Sequence, residues 1–338
     1  MAVESGVSTR RPIGLEACAA LGEGWVTGPE IYRNHRTRIT QLYNTQSGQR
    51  LAMKQYLSPK NSATSEYAVL EVLAKRTNTA GHHIVSRPMT VLSEENAYCM
   101  EWLEGPSLWQ VYRASPEDRE RGHRLLGTWL AEFHTRASGL TGKEAETRCD
   151  AVRRLNVLTA QIKEREVPSD VEPLLRQALD TLQARATGAE GRREGLVLSP
   201  ADPNPKNFIL HQGRLTAIDV QSKRPRARHS ALAGTLLRQL VHAPRGRRLD
   251  PINSPEARAF MAGYRDHVLD PAIWSFEILF SSTRFCLSRF GTERRPFWRQ
   301  AVEVLAVQLP AHDQRHGRPR SLRDPRSRLD RERRSLSQ

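Results

Sequence analysis

No stretch of this sequence carries the roughly 20 consecutive apolar residues that a membrane-crossing helix requires. Glu4, Arg10 and Arg11 interrupt the N-terminus before an apolar run of signal-peptide length develops. Cysteine is scarce: Cys18, Cys99, Cys149 and Cys286 stand far apart with no CxxC pair, which argues against a thiolate zinc site and against a disulfide scaffold. The expectation is a soluble, cytoplasmic protein with reduced thiols. Acids are outnumbered, 37 against 52 Lys and Arg, for a formal charge of +15 over 338 residues. Such a chain is drawn to phosphates, anionic surfaces or acidic substrates, and charge alone chooses none of them. What is present is an ordinary core fraction, 38% hydrophobic, on a chain long enough for two packed lobes or one large domain.

Residues 1–24 lack a clear period and read as a loosely attached leader. From Trp25 to Tyr56 the pattern is strand-like, broken by polar residues at Asn34 to Thr37 and by Thr45-Gln46-Ser47-Gly48, which predicts a three-strand antiparallel meander. Tyr67, Leu70, Leu73 and Ala74 recur at helical intervals within 65–75. Further strands are predicted at Ile84 to Leu92 and Ala97 to Trp102, before Glu104-Gly105-Pro106-Ser107 breaks the pattern at a hinge. Beyond it the chain turns helical, with Leu125, Leu126, Trp129, Leu130 and Phe133 on one face and further helices over 171–184, 230–242, 255–268 and 272–289. From about Asp313 arginine dominates and Pro319 and Pro325 break any helix, so 313–338 reads as a disordered tail. The expected organisation is an N-terminal lobe over 25–103 and a C-terminal lobe over 104–312.

The informative stretch runs from Leu198 to Asp219. Asp202 and Asn207 stand on a loop; a strand, the turn Gln212-Gly213 and a returning strand bring Asp219 back toward Asn207. Three oxygen-bearing side chains then converge. Phosphoryl transfer uses such a set, because Mg²⁺ prefers hard oxygen ligands and bridges the phosphates while a further carboxylate orients the attacking hydroxyl. Asp-x4-Asn followed twelve residues later by Asp has the spacing of kinase catalytic loops and their metal-binding aspartate.

At these residues the sequence resembles the aminoglycoside phosphotransferase and choline kinase superfamily, over most of 25–310. The resemblance implies an α+β fold of two lobes, like that of the protein kinases, with a small β-rich N-lobe and a larger helical C-lobe. It further implies an ATP- and Mg²⁺-dependent phosphotransferase acting on a hydroxyl of a small molecule. Asp202 would be the catalytic base, and Asn207 and Asp219 the metal ligands. Leu51-Ala52-Met53-Lys54 resembles the third strand, whose lysine meets the α/β-phosphates, and Glu66 matches the helix glutamate that holds it, with Glu71 as its competitor. Met100 to Gly105 resembles the hinge, where the backbone of Glu101 and Leu103 would meet adenine. Leu126 to His134 and Phe260 to Tyr264 resemble two helix motifs of the family.

Where the family carries His-Gly before the base, this chain carries Pro200-Ala201, and the loop at Asn34 to Arg38 lacks glycines. A second reading therefore stands beside the first: a pseudokinase that binds nucleotide or scaffolds without transfer. His82-His83 reads as surface histidines, since adjacent residues point apart and no third ligand follows. Trp129 and Phe133 read as core, and His134 as structural. The basic run Lys223 to Arg228 and Arg245, Arg247 and Arg248 read as solvated charge with anionic-substrate contact as the alternative. The arginine tail offers a weak route to nucleic acid, and no membrane partner is expected.

Overall fold

The computed structural model describes residues 15–58, 62–141, 145–220, 225–242, 250–265, 269–290 and 297–309. Helix α1 (Leu15–Leu21) precedes strands β1 (Trp25–Arg33), β2 (Thr37–Asn44) and β3 (Arg50–Tyr56), helix α2 (Ala63–Thr77), and strands β4 (Pro88–Leu92) and β5 (Ala97–Glu101). The five strands form one antiparallel sheet in the order β1-β2-β3-β5-β4. Residues 15–21, read from sequence as leader, instead bury Ala17 and Cys18 against Leu42, Leu51, Met53 and Cys99 on one face of the sheet. The predicted strand over 84–92 is shorter: Ile84 to Ser86 leave the sheet to bond elsewhere, as described below. Helix α2 covers the other face, capped by Ser62, with Glu66, Leu70, Leu73 and Ala74 buried at helical spacing.

After the hinge come α3 (Leu108–Ala114), α4 (Pro116–Thr141), β6 (Glu146–Arg148), α5 (Ala151–Lys163), α6 (Glu172–Ala189) and β7 (Arg193–Leu198). A two-strand hairpin, β8 (Phe208–His211) and β9 (Arg214–Ala217), interrupts the helices. Then follow β10 (Pro225–Ala227), α7 (Arg228–Val241), α8 (Pro255–Gly263), α9 (Pro271–Leu287) and α10 (Trp298–Ala306). One core runs without a break from the sheet and α2 through α4 to α7. A second joins α5, α6, α9 and α10.

Two local devices hold the helical part together. Helices α4 and α8 cross closely: a Cβ at Gly127 would lie 2.1 Å from the Phe260 carbonyl oxygen and one at Gly263 2.1 Å from that of Arg124. Beside that crossing, His134 Nδ1 and the Tyr264 hydroxyl are 2.8 Å apart. The two helix motifs read in the sequence thus meet each other, and His134 is buried structure. Elsewhere Arg154 grips the buried Glu277 with both guanidinium nitrogens, and His229 meets the buried Glu194 at 2.9 Å. All four cysteines are buried and free. Among the described residues, no helix is long and apolar enough to cross a membrane.

Candidate active site

Alternation along β3 sends Leu51 and Met53 to the α1 side of the sheet, and Ala52, Lys54 and Tyr56 to the side under α2. Lys54 therefore leaves the sheet toward the helix whose first turn carries Glu66. Its Nζ lies 2.7 Å from Glu66 Oε1 and 3.1 Å from Asp219 Oδ1. Tyr98, opposite Lys54 in the β3–β5 register, donates its hydroxyl to the same Glu66 oxygen at 3.0 Å. Burial works against the Lys54 charge, and Tyr98, Asp219 and Glu66 outweigh it, so its pKa is held above the ordinary value. Glu71 is exposed and takes no part.

The loop after β7 carries the other predicted residues. Asn204 accepts from the Lys206 amide at 3.0 Å through its side chain and from the Asn207 amide at 2.8 Å through its carbonyl, closing a single 3₁₀ turn over Pro205–Asn207. Asn207 Nδ2 then donates to the Asp202 carbonyl at 3.0 Å. With the amide nitrogen committed to the loop, Oδ1 is the atom Asn207 offers to a ligand. The β8–β9 hairpin returns the chain, and Ile218 N donates to the Asn207 carbonyl at 2.9 Å, which sets Asp219 beside Asn207.

The hairpin is strapped to the small lobe from two sides. Ala217 N donates to the Ile84 carbonyl at 2.9 Å and Ser86 N to the Ala217 carbonyl at 2.8 Å, while Thr216 Oγ1 and Trp129 Nε1 each bond the strap at 2.7 Å. Trp129 stacks on Phe133 and meets Phe208 edge-on, in the core as read. The hinge runs along β8, where Leu210 N donates to the Pro106 carbonyl at 2.9 Å. His82 and His83 are half-buried rather than on the surface and point apart, His82 toward Glu132 and His83 onto Glu101.

Between the lobes lies a cleft of about 610 Å³, lined by Lys54, Glu101, Leu103, Asp202, Asn207 and Asp219 among others. Tyr32 at the end of β1, Asn34 in the following loop and Thr37 at the start of β2 also line it. There Asn34 Oδ1 accepts from the amides of Arg36 and Thr37, each at 2.7 Å, so those two amides are committed to the turn. The Glu101 carboxylate is likewise committed, to His83 and to the Arg87 amide at 2.7 Å.

Two residues around Asp202 were not read from the sequence. Arg238 on α7 places Nη1 3.5 Å from Asp202 Oδ1. Its neighbour Gln239, fully buried, donates its amide to the Pro203 carbonyl and accepts from the Tyr112 hydroxyl at 3.1 Å. Tyr112 in turn stacks on His123 with ring centroids 4.4 Å apart. This chain of contacts braces the loop from behind. The sequence hint was a glutamine on the apolar face of a helix, a polar group that needs a buried partner. Of the basic run, Arg226 lies in β10 against β7 and Arg228 packs over Gly195, and neither lines the cleft. Lys223, Arg224, Arg245, Arg247, Arg248 and the arginine tail lie outside the described residues.

No family model matches the chain, and no curated protein does either. Solved structures do match. The GDP complex of aminoglycoside 2'-phosphotransferase-IIIa superposes with a TM-score of 0.52 at 16% identity, covering 84% of this chain and 93% of that one. This is the kinase-like fold of the aminoglycoside phosphotransferases. Spectinomycin phosphotransferase, solved with ADP and spectinomycin, shares that fold at a TM-score of 0.51 and 10% identity, covering 84% of this chain and 92% of its own. An amicoumacin kinase solved with AMP-PNP and Ca²⁺ does so at 0.50 and 15%, covering 85% and 90%. At these identities the likeness is one of fold. The kinase-like architecture accounts for the small sheet with one helix, the hinge and the helical remainder.

Proposed function

We propose that the chain is a phosphotransferase that moves the γ-phosphoryl group of ATP onto a hydroxyl of a small molecule. The observation that carries the reading is the buried Lys54 ammonium, shared between Glu66 of the small lobe and Asp219 of the catalytic hairpin across the cleft that Asp202 and Asn207 also line. A cation so placed meets the α/β-phosphates, and Glu66 keeps it there. Asp219 and the Asn207 amide oxygen are hard donors of the kind Mg²⁺ takes; they would hold the cation, which would supply positive charge for the phosphoryl group as it transfers. Asp202, half exposed beside them, orients the acceptor hydroxyl and takes its proton as the new O–P bond forms and the bond to the β–γ bridging oxygen breaks, releasing ADP. Glu101 and Leu103 of the hinge flank the adenine end.

A second reading, a nucleotide-binding protein without transfer, is favoured by two observations: the committed amides of the Asn34 loop and the pairing of Asp202 with Arg238. One experiment separates the two. ATP consumption is screened over a panel of small alcohols with the wild type and with Asp202→Ala. Transfer predicts turnover that falls about 10²- to 10⁴-fold in the variant; nucleotide binding with no turnover on any alcohol selects the second reading.

A further inference from the structure

Around Asp202 the charges and rings form one neighbourhood. The Arg238 guanidinium, about one-third exposed, lies 3.5 Å from Asp202 and 5.9 Å from the centre of the Phe285 ring. Arg289 lies over the same ring at 4.3 Å. Lys206 stands over Trp109 at 5.6 Å, and both line the cleft, as Asp202 does. His242 meets Trp109 edge-on; burial, with Arg238 and Arg289 nearby, holds its pKa below the ordinary value, so it adds no charge at neutral pH.

Three cations beside aromatic rings therefore share the neighbourhood of Asp202, with Arg238 in contact with its carboxylate. The Arg238 guanidinium, beside the Phe285 ring and partly exposed, has a planar N–H fork that suits a carboxylate or phosphate presented edge-on. An acceptor carrying ammonium groups meets like charges there instead.

We propose that this neighbourhood is a subsite for an anionic group on the acceptor, making the substrate an alcohol that also bears a carboxylate or phosphate, with Arg238 as its principal contact. The inference rests on the reading of Asp202 as the group that meets the acceptor hydroxyl. When the anion engages Arg238, the guanidinium turns from Asp202, and the carboxylate is left to take the hydroxyl proton. Anion binding and activation of the base are thereby one event. The acceptor's charge is then sensed by the residue that masks the base, which excludes uncharged alcohols as well as cationic ones.

The test uses four three-carbon probes of matched size: glycerol, glycerate, glycerol 3-phosphate and 3-amino-1,2-propanediol. Each is titrated calorimetrically into the full chain with Mg²⁺ and AMP-PNP already present. Glycerate and glycerol 3-phosphate are expected to bind at least tenfold more tightly than the other two, and their ratio tells carboxylate from phosphate. Arg238→Gln should weaken both anions tenfold or more and Arg238→Lys less, with melting temperature reporting that each variant is folded. Equal binding of all four probes, no binding of either anion, or anion affinity untouched in folded Arg238→Gln would each overturn the subsite. Turnover is read separately: Arg238-dependent anion binding without ATP consumption keeps the subsite and removes the transferase reading. Equal phosphorylation of all four probes keeps the transferase and removes the subsite.

Discussion

Lys54 is 3% exposed, and an ammonium taken so far from water is tolerable only where opposite charge meets it. Glu66 and Asp219 supply that charge from different lobes, so one residue reports on whether the lobes are joined. Because the Lys54 pKa is raised, its contribution to stability is complete below the unfolded value near 10.5 and is lost only as pH rises through the folded one. It therefore produces no stability change in the neutral range. His123 behaves in the opposite sense. Its Nδ1 lies 2.8 Å from the Arg119 carbonyl and so carries the proton, while Nε2 is buried without a partner; burial pushes its pKa down to about 4 from 6.5. Between those values the unfolded chain binds a proton that the folded one refuses, so stability falls as pH drops from about 6.5 to 4 and is level beyond. The full effect is on the order of 3 kcal/mol. Urea unfolding at pH 5 and pH 7 should show this slope in the wild type and a flatter one in His123→Phe; equal slopes would remove His123 as its source.

At the scale of elements, the hinge and the β8–β9 hairpin act as one unit, and Gly105 is one of the places where they touch. Its φ is +140° and a Cβ there would lie 2.0 Å from the Leu210 carbonyl oxygen. Gly105→Ala has both a strained backbone and a backbone collision to resolve, at a cost of about 1–3 kcal/mol; a urea midpoint equal to that of the wild type would contradict the contact. The same scale shows what could be read from sequence. The meander was legible because apolar and aromatic runs and two polar turns recur within 32 residues, 25–56, although burial alternates only along β2. The converging Asp202, Asn207 and Asp219 were legible because the elements that join them are local. Helix α1 was not, since Leu15 to Leu21 is one short apolar stretch whose partners, Leu42, Met53 and Cys99, are far along the chain. The strap at Ile84 to Ser86 looked like ordinary strand because β-rich sequence does not say which strand it will pair with. Arg238 was invisible for a related reason: on an amphipathic helix a polar-face arginine looks solvated until Asp202 is brought to it by tertiary folding.

For the whole molecule, the two lobes are not separate bodies joined by a linker. One apolar core passes from the sheet to the helices, and the hairpin that carries Asp219 is hydrogen-bonded to the 83–86 strap at the edge of the small lobe. Positive charge is spread through the chain, +15 in all; at the cleft Lys54 is buried against Glu66 and Asp219, Lys206 is among the lining residues, and Arg238 stands beside Asp202. Under the proposed function and the inferred subsite, Lys54 would face the nucleotide and Arg238 the anionic acceptor.

Under the proposed function, Asp219 and Asn207 present oxygen to a magnesium-bound nucleotide within reach of Lys54. Calorimetric titration of AMP-PNP into wild type and Asp219→Ala, each with and without Mg²⁺, tests it most directly. The wild type should bind at least tenfold more tightly with Mg²⁺, and Asp219→Ala should lose that dependence. A folded Asp219→Ala that keeps the wild-type magnesium dependence would contradict it.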